Sequence, residues 1–429
     1  MKVLPQFFLI TLAFTLLGCE AGSKSGLSHT DLKAIATVLV SKNARLESVI
    51  SKQESLLTKR PTDEKIMNTL ALAYIQKARE TGDPAWYVKG RSLLERAVEK
   101  HGTSTASLHN LAYALTIFHD FTGAIQLAQR AIALDPGDAD AYGVLCDSYL
   151  EIGKYENAAD AAQMMVDLKP GLASYSRGAQ VRWIMGNPKG AMALMQKAID
   201  AGGTYPENTA WCRTQLATMA FQTGNVLQAE QISEYVLKDL PDYRHAQAVL
   251  AKVRISQGKF DDAIDLLNRA TADGASPAYV LELADLHKRV GKSELAAKQV
   301  ENLSAIRDKH LQYGIAGDEL FLGVAMVDHH GDMKVALELL KSEAQSHDSV
   351  AANSAYAWAL LKSGNATEAK AFIMRAMRTN VQDALVWYRA SCIESALGNT
   401  LGSRQLLARA QSLNPNFSTL YVDARYASL

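Results

Sequence analysis

Cysteine is scarce in this chain, and its charges are balanced. Four cysteines occur among 429 residues, Cys19, Cys146, Cys212 and Cys392, and no two lie close together in sequence. This spacing provides neither a disulfide framework nor the paired ligands of a zinc site. Lysine and arginine together number 45, as do aspartate and glutamate, so no excess of positive charge favours a nucleic-acid-binding face. We therefore expect no nucleic acid among the partners.

The sequence also lacks the local motifs of enzymes. It contains no phosphate-binding loop, dinucleotide fingerprint, nucleophile elbow or zincin helix. The run Asp328-His329-His330-Gly331-Asp332 resembles a metal corner, but adjacent residues on a helix point in different directions. A polar helix end is the favoured interpretation of this run. We expect no catalytic residue, no cofactor and no metal, and hence a protein that is not an enzyme.

A regular spacing of glycines is the most informative feature of the chain. Eight glycines are separated by 33, 38, 34, 33, 40, 33 and 34 residues, and each is followed five positions later by a small residue. These glycines are Gly153, Gly186, Gly224, Gly258, Gly291, Gly331, Gly364 and Gly398. A ninth copy precedes them, with His119 in the glycine position and Ala124 five residues later. Such a period is typical of one supersecondary unit that is stacked many times.

Each unit is predicted to be two helices joined by a tight turn. In two successive copies Leu111 aligns with Leu145 and Ala124 with Ala158, at a spacing of 34. Apolar residues recur at helical spacing on both sides of the glycine position. The glycine would end the first helix, because glycine adopts the left-handed conformation without a steric clash. A proline such as Pro170 would end the second helix, and the alanines would let the two helices approach closely.

This unit resembles the tetratricopeptide repeat, a helix–turn–helix of about 34 residues. The matching positions in one copy are Tyr142, Leu145, Cys146, Tyr149, Gly153, Tyr155, Ala158 and Pro170. The resemblance implies an all-α, right-handed superhelical solenoid whose first helices line a concave groove. We expect a solenoid of about nine or ten repeats over residues 61–417, with a capping segment at 418–429. Residues 29–60 are predicted to form an amphipathic capping helix, with a coiled-coil seam as the alternative.

The first residues resemble the signal of a bacterial lipoprotein. Lys2 precedes an apolar stretch over residues 7–17 that is too short to span a bilayer. The segment Leu16-Leu17-Gly18-Cys19 resembles a lipobox, which implies a signal peptide over residues 1–19 and diacylation of Cys19. Residues 20–28 would then be a flexible tether. We expect a lipid-anchored protein of the bacterial envelope that faces the periplasm, with the choice of membrane open and an ordinary secretory signal as the alternative.

The resemblance also implies which side chains face the groove. The register of the repeat assigns to it His109, Tyr113, Asp140, Asp147, Glu151, Arg177, Trp211, Lys252, Arg289, Phe321, Trp358 and Tyr388. Large aromatic residues and arginine are the residue types that contribute most binding energy at protein interfaces. These positions are therefore the predicted contacts for a partner.

The predicted function is that of an adaptor. A groove of this kind would hold a protein or peptide partner during envelope assembly, secretion or polymer export. Two alternatives remain open at this stage: a periplasmic sensor that binds a small molecule or glycan, and an accessory subunit that presents substrate to a separate enzyme. The fold alone does not identify the partner, and the sequence leaves the oligomeric state open.

Overall fold

The computed structural model describes residues 46–272 and 276–416. By its contacts the chain divides between Val49 and Ile50, and residues 50–272 and 276–416 belong to one compact unit. Cys19, the predicted signal peptide, the tether and the segment 418–429 lie outside the described residues, as does most of the predicted helix at 29–60. Of that helix, residues 46–59 are described, and they are helical. Among the helices of the described residues, none is both long and apolar enough to cross a membrane.

Among the described residues, helices follow one another with short turns between them. Helix α1 covers residues 46–59. The next ten are α2 (Glu64–Thr81), α3 (Pro84–Lys100), α4 (Thr105–Ile117), α5 (Phe121–Leu134), α6 (Ala139–Glu151), α7 (Tyr155–Leu168), α8 (Leu172–Ile184), α9 (Pro188–Ala201), α10 (Pro206–Gln222) and α11 (Val226–Asp239). The last ten are α12 (Arg244–Ser256), α13 (Phe260–Ala270), α14 (Pro277–Arg289), α15 (Ser293–Gln312), α16 (Glu319–Asp328), α17 (Met333–Ser346), α18 (Val350–Lys362), α19 (Ala366–Met377), α20 (Ala384–Ala396) and α21 (Thr400–Leu413).

From α2 to α21 the helices form ten consecutive hairpins. The two helices of each hairpin pack against each other, and the second helix also packs against the first helix of the next hairpin. At some helix starts a polar side chain fixes the boundary, as it does for α5 and α6. Asp120 accepts a hydrogen bond from the backbone N–H of Gly123, and Asp138 accepts one from that of Ala141. The predicted all-α solenoid of helix–turn–helix units is confirmed.

The turns within the hairpins follow the predicted glycine rule, with one correction. Gly153 follows the end of α6 with φ of 72°, and His119 takes the same left-handed conformation with φ of 60° in the copy that lacks the glycine. At the copy with Gly331 the expectation is wrong. There α16 ends at Asp328, so His330, with φ of 60°, occupies the left-handed position one residue before the glycine.

Small residues form the contact between the two helices of a hairpin. The side chains of Ala112, Ala124, Ala131 and Ala158 are fully buried, and so is that of Ala410 in the last hairpin. A methyl group at these positions lets two helix backbones pack closely, because a larger side chain would push the axes apart. The predicted role of these alanines agrees with their burial.

Helices that are far apart in sequence also meet. The backbone N–H of Val350, at the start of α18, donates to the hydroxyl oxygen of Tyr155 at 2.8 Å, across 195 residues. Arg378 donates to the carbonyl oxygens of Gly153 (2.8 Å) and Asp348 (2.6 Å). Its guanidinium group also lies over the Tyr155 ring, 5.0 Å from the centroid. We call this contact between the α6–α7 turn and the start of α18 the seam.

Aromatic side chains extend the seam toward the preceding hairpin. The rings of Phe121 and His347 pack edge to face with centroids 5.3 Å apart, and His119 packs on Phe121 at 5.2 Å. Edge-to-face packing of this kind adds to the energy of apolar burial. The seam is therefore a packed interface with directed hydrogen bonds.

We expect Gly153→Ala to open the seam, and Gly258→Ala to leave it intact. Both glycines have nearly the same backbone conformation, with φ of 72° and 73°, so both changes cause similar backbone strain. A Cβ atom at Gly153 would overlap the carbonyl oxygen of Asp348, whereas nothing lies within 4 Å of a Cβ at Gly258. Hydrogen exchange at the Val350 amide should be faster in Gly153→Ala than in Gly258→Ala. Equal exchange in the two variants would contradict the seam.

Candidate functional site

A large cavity lies on the side of the hairpins formed by their first helices. Its volume is about 1110 Å³, and its lining comes chiefly from α2, α4, α6, α8 and α10. Seven of the twelve predicted groove residues line it: His109, Tyr113, Asp140, Asp147, Glu151, Arg177 and Trp211. The repeat register therefore brings more than half of the predicted contacts together in one place.

Arg177 and Asp147 form an ion pair in the wall of the large cavity. Nε of Arg177 donates to Oδ1 of Asp147 at 2.9 Å, and Nη2 donates to Oδ2 at 2.6 Å. Two backbone carbonyls, those of Gly143 and Ala173, accept further hydrogen bonds from the same guanidinium group. Burial opposes the charge of Arg177, but Asp147 outweighs burial and raises the pKa of Arg177. The pair is fixed in orientation, and its two charges neutralise each other.

A second set of paired charges surrounds the start of α6. Nζ of Lys169 donates to both carboxylate oxygens of Asp140, at 3.1 and 2.8 Å. Nδ1 of His109 lies 2.8 Å from Oδ2 of Asp138. Burial would raise the pKa of Asp138, but the hydrogen bonds from His109 and from the backbone outweigh it and lower that pKa.

The ligand atoms of His109, Asp138 and Asp140 lie within 4.8 Å of one another, a spacing that a metal ion could use. Each of the three has a partner that explains its position. Asp138 caps α6 and contacts His109, and Asp140 is paired with Lys169. We assign no metal to this group.

The side chains of Asp328 and His329, from the run that resembles a metal corner, likewise form hydrogen bonds with other helices. Oδ1 of Asp328 accepts a hydrogen bond from the Trp358 indole at 2.8 Å. Nε2 of His329 lies 2.8 Å from Oδ1 of Asp285. The two side chains contact different helices, so this arrangement agrees with the predicted polar helix end.

Sequence reasoning missed a polar network at the end of the large cavity near α10. Glu207 pairs with Arg79 at 3.0 Å and accepts hydrogen bonds from the hydroxyl of Tyr243 (3.1 Å) and from Gln76 (3.3 Å). Arg244 donates to the backbone carbonyl of Thr81 at 3.1 Å. The contacts of Arg79 and Gln76 with Glu207, and of Arg244 with Thr81, join hairpins that are not neighbours in sequence, so no spacing within a repeat could indicate them.

Two further predicted residues, Lys252 and Arg289, line a small cavity of about 170 Å³. Nζ of Lys252 pairs with Oε1 of Glu282 at 2.8 Å. In the same cavity burial raises the pKa of Asp285 to about 6, although its hydrogen bond with His329 opposes the rise. Burial also lowers the pKa of Arg289. The small cavity is thus a separate, partly apolar recess with mixed charge.

Three predicted groove residues line neither cavity. The side chains of Trp358 and Tyr388 are 4% and 2% exposed and belong to the core around α18 and α20. The assignment of these two residues to the groove surface is corrected, because α18 is packed on nearly all sides and Tyr388 lies on a buried face of α20. The charged groups of Lys362 and Arg389 both lie over the Trp358 ring, 4.5 and 5.5 Å from its centroid. Phe321 is partly buried on α16.

Stability should depend on pH through His245, which lines the large cavity and contacts the Tyr279 hydroxyl. Burial lowers the pKa of His245 to about 4 from an ordinary value of 6.5. Between these pH values the unfolded chain takes up a proton at His245 and the folded chain does not, so stability falls as the pH falls. Each pKa unit corresponds to about 1.4 kcal/mol, so the shift from 6.5 to about 4 contributes at most about 3.5 kcal/mol.

We expect His245→Gln to lose less stability than the unchanged protein when the pH is lowered across that window. Urea unfolding at several pH values measures this difference, because the titration of other groups is common to both proteins. Parallel stability curves would show that His245 is protonated equally in the folded and unfolded chains.

Comparison with known proteins agrees with the repeat architecture. The tetratricopeptide repeat family model matches residues 117–177 and 220–286. The chain is 28% identical over 249 residues to cellulose synthase operon protein C of Xanthomonas axonopodis pv. citri, which covers 54% of this chain and 15% of that protein. It is 25% identical over 167 residues to anaphase-promoting complex subunit 7 of Arabidopsis thaliana, covering 39% of this chain and 29% of that protein. The matched regions thus span less than a third of either relative.

Similar folds occur among solved structures. Pseudomonas aeruginosa pilF has a TM-score of 0.39 and 16% identity, with coverage of 49% of this chain and 94% of that one. A tetratricopeptide repeat protein from Parabacteroides merdae has a TM-score of 0.42 and 16% identity, with coverage of 60% and 98%. Residues 117–177 and 220–286 therefore match tetratricopeptide repeats, and the ten consecutive helical hairpins share the helix–turn–helix architecture of that repeat.

Proposed function

We propose that this protein is an exported, lipid-anchored scaffold that binds a segment of a protein partner in the large cavity. The observation that carries the proposal is the cavity itself, which collects seven predicted contact residues from four consecutive hairpins. At about 1110 Å³ it exceeds the volume of roughly 300–1,000 Å³ that is usual for small-molecule sites. A peptide segment fits a site of this size better than a small metabolite does.

The lining of the large cavity has the chemistry of a protein-binding surface. Trp211, Tyr113 and Tyr87 contribute aromatic area, and Leu72, which is 38% exposed, is part of the same lining. Aromatic side chains lose little conformational entropy on binding and are enriched at the energetic centres of interfaces. The ion pairs in the wall hold the helices in place, while the aromatic and aliphatic groups offer area to bury.

Two observations support a role in the bacterial envelope. The segment that ends at Cys19 has the pattern of a lipobox, which would attach the protein to a membrane by acyl chains. One relative is named for a cellulose synthase operon, and the other is named as a subunit of a multiprotein complex. We infer that this chain acts in an envelope assembly that includes polymer synthesis or export, and that it holds the components together.

Partner capture in cells tests the scaffold function. A photoreactive amino acid at Tyr113, inside the large cavity, should crosslink to a protein partner. The same amino acid at Tyr235, which is 48% exposed and lies outside the cavity lining, should not. Trp211→Ala should reduce the yield at position 113 on the order of tenfold or more, since loss of a central aromatic residue often costs 2 kcal/mol or more. Tyr235→Ala is the matched control.

Circular dichroism of Trp211→Ala separates loss of binding from loss of folding. An unchanged yield in a folded Trp211→Ala variant would contradict binding in the large cavity. Recovery of a saccharide without any crosslinked protein would favour the glycan-binding alternative instead.

Lipid attachment is tested at Cys19. Cys19→Ala should abolish labelling by a radioactive fatty acid and release the protein from membranes, because a thiol at this position is needed for acylation. Cys392→Ala should leave both properties unchanged. Labelling that persists in Cys19→Ala would contradict the lipobox, and membrane release without any labelling in the unchanged protein would favour an ordinary secretory signal.

A further inference from the structure

One carboxylate in the large cavity has no partner. Four acidic side chains line this cavity, and three of them are paired: Asp140 with Lys169, Asp147 with Arg177, and Glu207 with Arg79. The fourth, Glu151, forms no hydrogen bond or ion pair with any residue that the structure describes. It is exposed to the cavity.

The position of Glu151 in its helix makes this arrangement unfavourable when the cavity is empty. Glu151 is the last residue of α6, where the backbone carbonyls give the helix end a partial negative charge. The carboxylates of Asp147 and Glu343 lie near enough to repel it. Although the side chain opens onto the cavity, the surrounding protein reduces its hydration. This loss of hydration, together with the two charges, raises the pKa of Glu151, and His347 opposes the rise. A positive charge placed here would be stabilised by the helix end and by Glu151 together.

The surroundings favour a single positive charge over a metal ion. Asp147 is held in two hydrogen bonds by Arg177, and Glu343 accepts a hydrogen bond from His347 at 3.0 Å. Glu151 therefore offers one carboxylate, whereas Ca²⁺ takes six to eight oxygen ligands and Mg²⁺ requires near-octahedral geometry. A lysine or arginine side chain needs one acidic partner, and its aliphatic stem can pack on apolar lining such as Leu150.

We propose that Glu151 binds a lysine or arginine side chain of the protein segment that occupies the large cavity. The inference rests on the proposed function and defines the partner as a segment with a basic residue at one fixed position. Trp211 and the other apolar groups then provide buried area, and Glu151 sets the register of the segment along the cavity.

Selection from a random dodecapeptide display library tests this charge preference. The full chain without its signal peptide is the bait, and peptides are kept if their binding is weakened by Trp211→Ala. These peptides should be enriched in lysine or arginine at one aligned position. Glu151→Gln should weaken their binding about 10- to 100-fold, as expected for loss of a hydrogen bond to a charged group.

Glu156→Gln is the matched control, because Glu156 is exposed at the start of α7 and is not part of the cavity lining. It removes the same charge from the chain and should leave peptide binding unchanged. In the reverse test, Glu151→Lys should bind peptides in which the basic residue is replaced by glutamate better than it binds the original peptides. This recovery of binding would show that the variant is folded and that the two charges contact each other.

Three outcomes would overturn the inference, and they differ in what else they affect. If the peptides that depend on Trp211 share no lysine or arginine at an aligned position, the role of Glu151 is rejected and the scaffold function is not. Basic peptides that bind Glu151→Gln as tightly as the unchanged protein would show that their basic residue contacts a group other than Glu151. Failure to recover any peptide that depends on Trp211 would count against both the inference and the proposed cavity.

Discussion

The close contact between the two helices of each hairpin is the constraint on which the rest of the structure depends. Fully buried alanines such as Ala124 and Ala158 fix the distance between the helix axes. The same contact recurs in every copy, so any small rotation between hairpins accumulates along the chain. In this array Tyr155 meets Val350 across 195 residues, and the first helices enclose the large cavity. Both features require helices that pack closely, which the small side chains allow.

Much of the fold could be predicted from the sequence because the same pattern of residues occurs in many copies along the chain. A weak match in one copy, such as His119 in place of glycine, is supported by the other copies in phase. The error at Gly331 has a local cause, because α16 ends early and moves the left-handed residue to His330. Nothing in the spacing of glycines indicates where a particular helix ends to within one residue.

The candidate site could be predicted only as far as the register within a repeat determines it. Seven of the assigned residues share the large cavity, because first helices present equivalent positions to the same side. Trp358 and Tyr388 are assigned by the same register but are buried, since they lie in the core around α18 and α20. The network around Glu207 depends on the approach of hairpins far apart in sequence, which a repeat pattern does not specify.

The seam changes how this solenoid is expected to unfold. In an open array each repeat contacts its neighbours only, so stability is close to a sum of local terms and the ends fray independently. Here the hydrogen bonds from Arg378 and Val350 connect the ninth hairpin of the array to the third. Contacts of such high sequence separation slow folding, because a long loop must close before they form. They also make the hairpins between α7 and α18 a single cooperative segment, which a protease would attack only after the seam has opened.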